Sequence, residues 1–340
     1  MTRPAFTLGT ATIPAGTRRT VELPVSVLFN DTPMRLPVHV IHGSRDGPVL
    51  FLSGVVHGDE IQGAEIIRQV VRHPALAGIA GTLLAVPIVN GFGFISHSRY
   101  MPDRRDLNRS FPGSDHGSLA SILADILLRE VLSRAQYGID LHTAGVHRSN
   151  LPQIRIAPDE PELLKFAEAF SPPVILVSKL REGTLRQCAR DQGVRMLLYE
   201  AGEALRFDDF AIRTGVVGIL RSMRWLAMIP SSADVKGRIV PVISQASLWL
   251  RAPEGGILHA GHQLGDKVGK NERIGVISDP LGDKEVPVIA NETGIVIGRT
   301  NLPIVNRGDA LFHIARVKDA VTARRPKAAE AAPPDEDEII

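Results

Sequence analysis

The sequence predicts an α/β fold, a mixed sheet flanked by helices and followed by a small all-β unit, and three patterns in its 340 residues carry that prediction. Val49–Val56 is a nearly continuous apolar run, as a strand covered on both faces requires. At Glu60 the apolar period switches to that of a helix, through Ile61, Ala64, Ile66, Ile67, Val70 and Val71. Strand-like and helix-like segments then alternate as far as Met228, which argues for a largely parallel or mixed sheet with helices on both faces. After about Ser232 no helical period survives and glycines punctuate short strand-like runs, so Gln245–Ala315 reads as a separate all-β unit.

Taken in order, Thr20–His42 alternates polar and apolar residues and reads as an edge hairpin. Further buried strands are expected at Leu83–Val89, Gly138–Leu141, Gln153–Ala157, Val174–Ser178 and Arg195–Glu200. Helices are expected at Glu60–Val71, Leu119–Arg134, Glu160–Phe170 and Phe207–Met228. The one after Ser118 is the clearest: Leu119, Ile122, Leu123, Ile126, Leu127 and Val131 form a single stripe, and Ser118 can cap it. Within the C-terminal unit, Gly255-Gly-Ile-Leu, Gly265-Asp-Lys-Val-Gly, Gly294-Ile-Val-Ile and Gly308-Asp-Ala-Leu-Phe resemble a lipoyl or biotinyl carrier barrel. The lysine that such carriers modify is missing from the expected turn, which makes the unit a structural appendage whose deletion should leave hydrolysis largely intact. From Lys318 onward Ala, Pro and acidic residues dominate, the composition of a disordered tail.

Composition excludes several classes. A net charge of +2 with both signs interspersed leaves no basic stripe for nucleic acid, although a pI near 8.8 suits small acidic molecules. The single cysteine, Cys188, rules out an internal disulfide and fits a reducing compartment. Neither a signal-like N-terminus nor a membrane span is visible, since Arg221 and Arg224 interrupt the most apolar late stretch, so the cytoplasm is the expected location.

The chemistry gathers at strand ends, where open α/β sheets bind ligands. His57 sits in the turn after the first buried strand and Glu60 in the first helical turn. Asp140 and His142 alternate with Leu141, so both project from one face of their strand. His57, Glu60 and His142 make two imidazoles and a carboxylate, the donor set of a catalytic zinc with one position open, and Asp140 can orient its neighbours. His73, His97, His116, His147, His259, His262 and His313 lack such company and read as ordinary surface or loop residues. The loop Arg99-Tyr-Met-Pro-Asp-Arg104-Arg105-Asp106-Leu-Asn108-Arg109 collects arginines suited to gripping a carboxylate. Lys179, Arg181 and Arg186 either read a second acidic group or face solvent. Glu200, at the end of an apolar run, is the candidate general base, with Glu203 as its competitor.

Four motifs, His57-Gly-Asp-Glu60, Asp106-Leu-Asn108-Arg109-Ser-Phe, Asp140-Leu-His142-Thr and Tyr199-Glu200-Ala-Gly, stand in an order that resembles the succinylglutamate desuccinylase and aspartoacylase family over about Val49–Met228. The resemblance implies a zinc-carboxypeptidase-like fold and one zinc ion per subunit on His57, Glu60 and His142. It further implies Glu200 as general base and acid, Asn108 with Arg109 as a carboxylate clamp, and an upstream arginine that polarises the scissile carbonyl. Arg99 is the first choice for that arginine, with Arg104 and Arg105 as alternatives. The implied division is a catalytic domain over 1–240, with a β segment at 1–45, a small β-barrel over 241–317, and the tail at 318–340. The implied reaction is hydrolysis of the amide of an N-acyl amino acid. A carboxypeptidase acting on short peptides, or a non-catalytic carboxylate or metal binder, are the alternatives. Free edges on the β unit allow a homo-oligomer.

Overall fold

The computed structural model describes residues 3–231 and 239–317. The expected tail from Lys318 lies outside the described residues. A small pair, β1 (Phe6–Leu8) and β2 (Ala11–Ile13), precedes the strands of the main sheet. Those are β3 (Thr17–Val27), β4 (Pro33–His42), β5 (Arg45–Gly54), β6 (Ala80–Val86), β7 (Tyr137–Ala144), β8 (Arg148–Ile156), β9 (Val174–Val177) and β10 (Arg195–Glu203). The C-terminal strands are β11 (Val242–Ser244), β12 (Ser247–Arg251), β13 (Gly256–Ala260), β14 (Lys267–Val268), β15 (Arg273–Ser278), β16 (Glu285–Ile289), β17 (Gly294–Thr300), β18 (Ile304–Val305) and β19 (Ala310–Arg316).

The main sheet is mixed. Its spine runs β12-β19-β17-β8-β10-β7-β5-β6-β4-β3, with β5, β6, β7 and β10 parallel and β8 antiparallel to β10. The expected edge hairpin is β3 with β4, and β3 forms the outer edge. Alternation along β5 divides the core cleanly: Leu50 and Leu52 face one cluster, Val49 and Phe51 the other. On the first face lie α1 (Gln62–Val71), α4 (Pro161–Phe170) and α6 (Asp209–Trp225), through Ile66, Phe166, Phe170 and Ile219. On the second lie α3 (Leu119–Ile126), α5 (Leu185–Asp191) and the first strands. Each fully buried Leu, Ile or Phe here contributes about 1.5–3 kcal/mol by leaving water.

The structure departs from the sequence reading in several places. The helix expected at Leu119–Arg134 is α-helical only to Ile126, then passes through a π turn at Leu127–Val131 and a 3₁₀ turn at Leu132–Arg134. The wider turn keeps Leu127, Val131 and Leu132 all buried, which an uninterrupted α period would not. Two short helices, α2 (Gly91–Ser96) and α5, were not legible as periodic stripes, being too short to show one. The C-terminal strands hold their own core, including Ile274, Ile277 and Phe312, yet β17 hydrogen-bonds β8 and β11 pairs with β9. The sheet therefore runs without a break from one region into the other, and the unit is more than an appendage. Among the described residues no helix is long and apolar enough to cross a membrane.

Candidate active site

The chain leaves β5 through a tight, strained turn. Val55 is fully buried with φ 55°, a left-handed conformation that a β-branched residue rarely adopts. A Cβ on Gly58 would stand 1.9 Å from the backbone carbon of Gly93, so only glycine lets the turn settle against α2. His57 and Glu60 both emerge from this turn, where the Glu60 amide donates to the His57 carbonyl at 3.1 Å. Glu60 was expected inside the first helical turn; α1 begins at Gln62, and Glu60 stands just ahead of it.

His142 arrives from β7, in register with Glu200 on β10. Glu60 lies between the two imidazoles, with Oε1 at 2.6 Å from His57 Nδ1 and Oε2 at 2.8 Å from His142 Nδ1. The Thr143 amide donates to Glu60 Oε2 at 3.0 Å. Each imidazole has its other nitrogen on a separate aspartate: His142 Nε2 is 2.7 Å from Asp140 Oδ2, and His57 Nε2 is 3.1 Å from Asp106 Oδ1. Ser53 donates its hydroxyl to Asp140 Oδ1 at 2.7 Å, fixing the second carboxylate oxygen.

Electrostatics follow from that packing. Burial alone would lower the pKa of His142, but Asp140 and Glu60 outweigh it and raise the pKa well above the ordinary imidazole value. His57 is raised for the same reason, burial being overcome by Glu60 and Asp106. Burial would push Glu60 up, and the two imidazoles hold it far below the usual carboxylate range instead. One ligand atom each from His57, Glu60 and His142 lies within 4.8 Å of the others, and all three residues are buried. Two converging Nδ1 atoms, a carboxylate between them and an aspartate behind each ring form a donor set that fits a divalent cation.

Around this group opens a cavity of about 550 Å³. His57, Glu60, His142, Glu200, Arg99, Asn108 and Arg109 all line it. Arg99 donates through Nη1 to Glu60 Oε1 at 3.1 Å and through Nε and Nη2 to Asp106 Oδ2 at 3.2 and 3.0 Å. Arg104 and Arg105 are not among the lining residues, so of those three Arg99 is the one that stands beside the metal-type ligands. Asn108 uses Oδ1 to accept from the Leu185 amide at 3.0 Å, tying its loop to the start of α5. Glu203 faces away from the chemistry: it accepts from the His147 amide at 2.8 Å and from Asn301 Nδ2 at 2.9 Å.

Sequence reasoning missed part of the wall. Asp106 was quoted in a motif but given no task. His313, read as an ordinary residue, is 6% exposed and lines the cavity, stacked on Trp249 with ring centroids 4.7 Å apart and planes at 10°. Its lone aromatic partner in the pattern, the Trp of Ser247-Leu-Trp249-Leu, was the available signal. Arg155 also lines the cavity, and so does Arg186, which the sequence left between reading an acidic group and facing solvent; burial and Arg155 hold the Arg186 guanidinium down to about 10. Arg181 and Lys179 join them.

Fold and site together define a mixed α/β protein with a buried group able to hold a metal at the carboxyl edge of its parallel strands. Residues 46–226 match the model of the succinylglutamate desuccinylase/aspartoacylase catalytic domain, and the chain belongs to that family. It is an enzyme of the amide-hydrolysing kind, acting on C–N bonds other than peptide bonds. N-alpha-acetyl-L-2,4-diaminobutyric acid deacetylase from Halomonas elongata is 26% identical over 298 residues, covering 84% of this chain and 87% of that protein. The crystal structure of a succinylglutamate desuccinylase/aspartoacylase from Rhodobacter sphaeroides aligns with TM-score 0.77 at 27% identity, covering 87% of this chain and 95% of the other. The product-bound ectoine utilization protein EutE (DoeB) from Ruegeria pomeroyi shares the fold, with TM-score 0.79 at 20% identity over 93% of this chain and 99% of the other.

Proposed function

We propose that the protein is a cytoplasmic zinc-dependent deacylase, holding one zinc ion per subunit, that hydrolyses the amide of an N-acyl amino acid or a similar small carboxylate-bearing substrate. The observation that carries this reading is the shared cavity: a three-donor group, the Glu200 carboxylate and seven Arg and Lys side chains all line one space of about 550 Å³. His57, Glu60 and His142 would hold the ion. An ion held there would supply Lewis acidity for the scissile carbonyl and for the attacking water.

The chain's own residues account for the rest. Asn108 and Arg109 grip the substrate carboxylate and fix the amide in place. Arg99 directs its guanidinium toward charge developing on the carbonyl oxygen. Glu200 takes one proton from the attacking water and, as the C–N bond breaks, passes it to the nitrogen; the acid formed then gives its remaining proton to the amine, so amide and water become carboxylate and ammonium. Seven cationic residues line the cavity against the carboxylates of Glu60, Asp140 and Glu200, which supports a substrate with negative charge to spare. The name of the Halomonas elongata relative, a deacetylase of an acetylated diamino acid, supports deacylation as the reaction class.

The test is a panel of N-acetyl and N-succinyl amino acids with short peptides, assayed with zinc-loaded protein and with Glu200→Gln. Turnover of N-acyl amino acids that disappears in Glu200→Gln while zinc is retained is the expected result. Release of C-terminal residues from peptides alone, or full activity in the variant, would overturn the reading.

A further inference from the structure

We infer that Asn150 is a positioning residue for Glu200, locked in place by the C-terminal strands through Gly298; this rests on the reading of Glu200 as general base. Asn150 lies on β8 at the seam of the molecule, opposite Gly202 of β10 on one side and Gly298 of β17 on the other. It is 7% exposed. Its Nδ2 donates to Glu200 Oε2 at 2.9 Å, and among the described residues this is the hydrogen bond that Glu200 receives. Arg155 Nη1 stands 3.5 Å from Glu200 Oε1, at ion-pair distance.

The backbone around the pair is built for it. β10 shifts register between Glu200 and Gly202, a bulge that re-aims the side chain ahead of it, and Gly202 supplies the positive φ of 72°. On the other side a Cβ on Gly298 would stand 2.9 Å from Asn150 Oδ1 and 3.1 Å from His313 Cβ. Any larger residue at 298 would push the Asn150 amide off its line to Glu200. A carboxylate that shuttles a proton must hold one oxygen toward the water and later toward the nitrogen, and fixing the other oxygen removes the rotation that would misplace it. The C-terminal strands thus contribute to proton transfer through Asn150.

Full-length, zinc-loaded protein carrying Asn150→Ala, Asn150→Asp or Gly298→Ala is compared with the parent on the N-acyl amino acid it turns over best. Asn150→Ala should lower kcat about 10–100-fold with KM within about twofold and one zinc retained, since only placement of the base is lost. Asn150→Asp should lower it further, because a second carboxylate then faces Glu200. Gly298→Ala should lower kcat in the same direction, and serves if Asn150→Ala fails to fold. A signature independent of turnover is the Asn150 side-chain amide resonance, assigned by its loss in Asn150→Asp, which should move in Glu200→Ala. An unchanged kcat in Asn150→Ala or Gly298→Ala, a fall confined to KM, or an unmoved resonance overturns the inference. Full turnover in Glu200→Gln would instead remove the general base on which it rests.

Discussion

Asp140 shows how a residue outside the ligand set governs it. Its Oδ2 bonds His142 Nε2 while its Oδ1 receives the Ser53 hydroxyl, so the orientation of the ring is fixed before any metal arrives. Asp140→Asn keeps an acceptor but removes the anion, and should weaken zinc binding about 10–100-fold in a chelator competition; unchanged affinity would refute the role. His313 offers a second residue-level test, in pH. Burial, reinforced by Arg155, holds its pKa down to about 3, whereas the unfolded chain titrates near 6.5. A histidine depressed in this way contributes stability that is present above about pH 6.5 and lost as pH falls toward the folded value, because the unfolded state binds the extra proton. His313→Phe keeps the stack on Trp249 and has nothing to protonate, so its melting temperature should fall less than the parent's between about pH 6.5 and 4. Parallel declines in the two proteins would sink the account.

At the scale of elements, the turn between β5 and α1 is the piece most exposed to a single methyl group. Gly58→Ala must displace either the turn or the backbone of α2, since the added carbon meets Gly93 Cα at 2.2 Å and Phe94 N at 2.4 Å. Overpacking of this kind costs about 1–3 kcal/mol, and here it also moves His57. The expected outcome is a lower melting temperature together with substoichiometric zinc, read by metal analysis; full zinc occupancy would show that the turn yields elsewhere. This same turn was the most legible part of the sequence, because a change from a buried-strand run to a helical period is a local signal and places His57 and Glu60 between them. His142 and Glu200 were legible for a similar reason, each closing an apolar run whose period fixes the face. Asn150, Trp249 and His313 were not, since what brings them to the cavity is the pairing of β8 with β17 and of β12 with β19. Strand partners distant in sequence leave no periodic mark on either strand.

The whole molecule is joined at that seam, and its stability should depend on it. Val174, Leu176 and Leu151 of the main sheet bury against Ile295, Ile297, Val242 and Ala315. Removing residues 241–317 would expose the first three and strip β8 of its β17 partner, leaving an unpaired edge beside Glu200. At about 1.5–3 kcal/mol for each fully buried aliphatic side chain returned to water, the loss approaches the about 5–15 kcal/mol that stabilises a typical domain. The cavity would also lose Trp249 and His313, and Asn150 would lose the strand that packs against its amide on the side away from β10. A chain ending at residue 240 should therefore aggregate or expand, with loss of hydrolysis, when followed by size-exclusion chromatography and turnover of the same N-acyl substrate. A compact, zinc-loaded fragment with parental kcat would show that the C-terminal strands only decorate the sheet they extend.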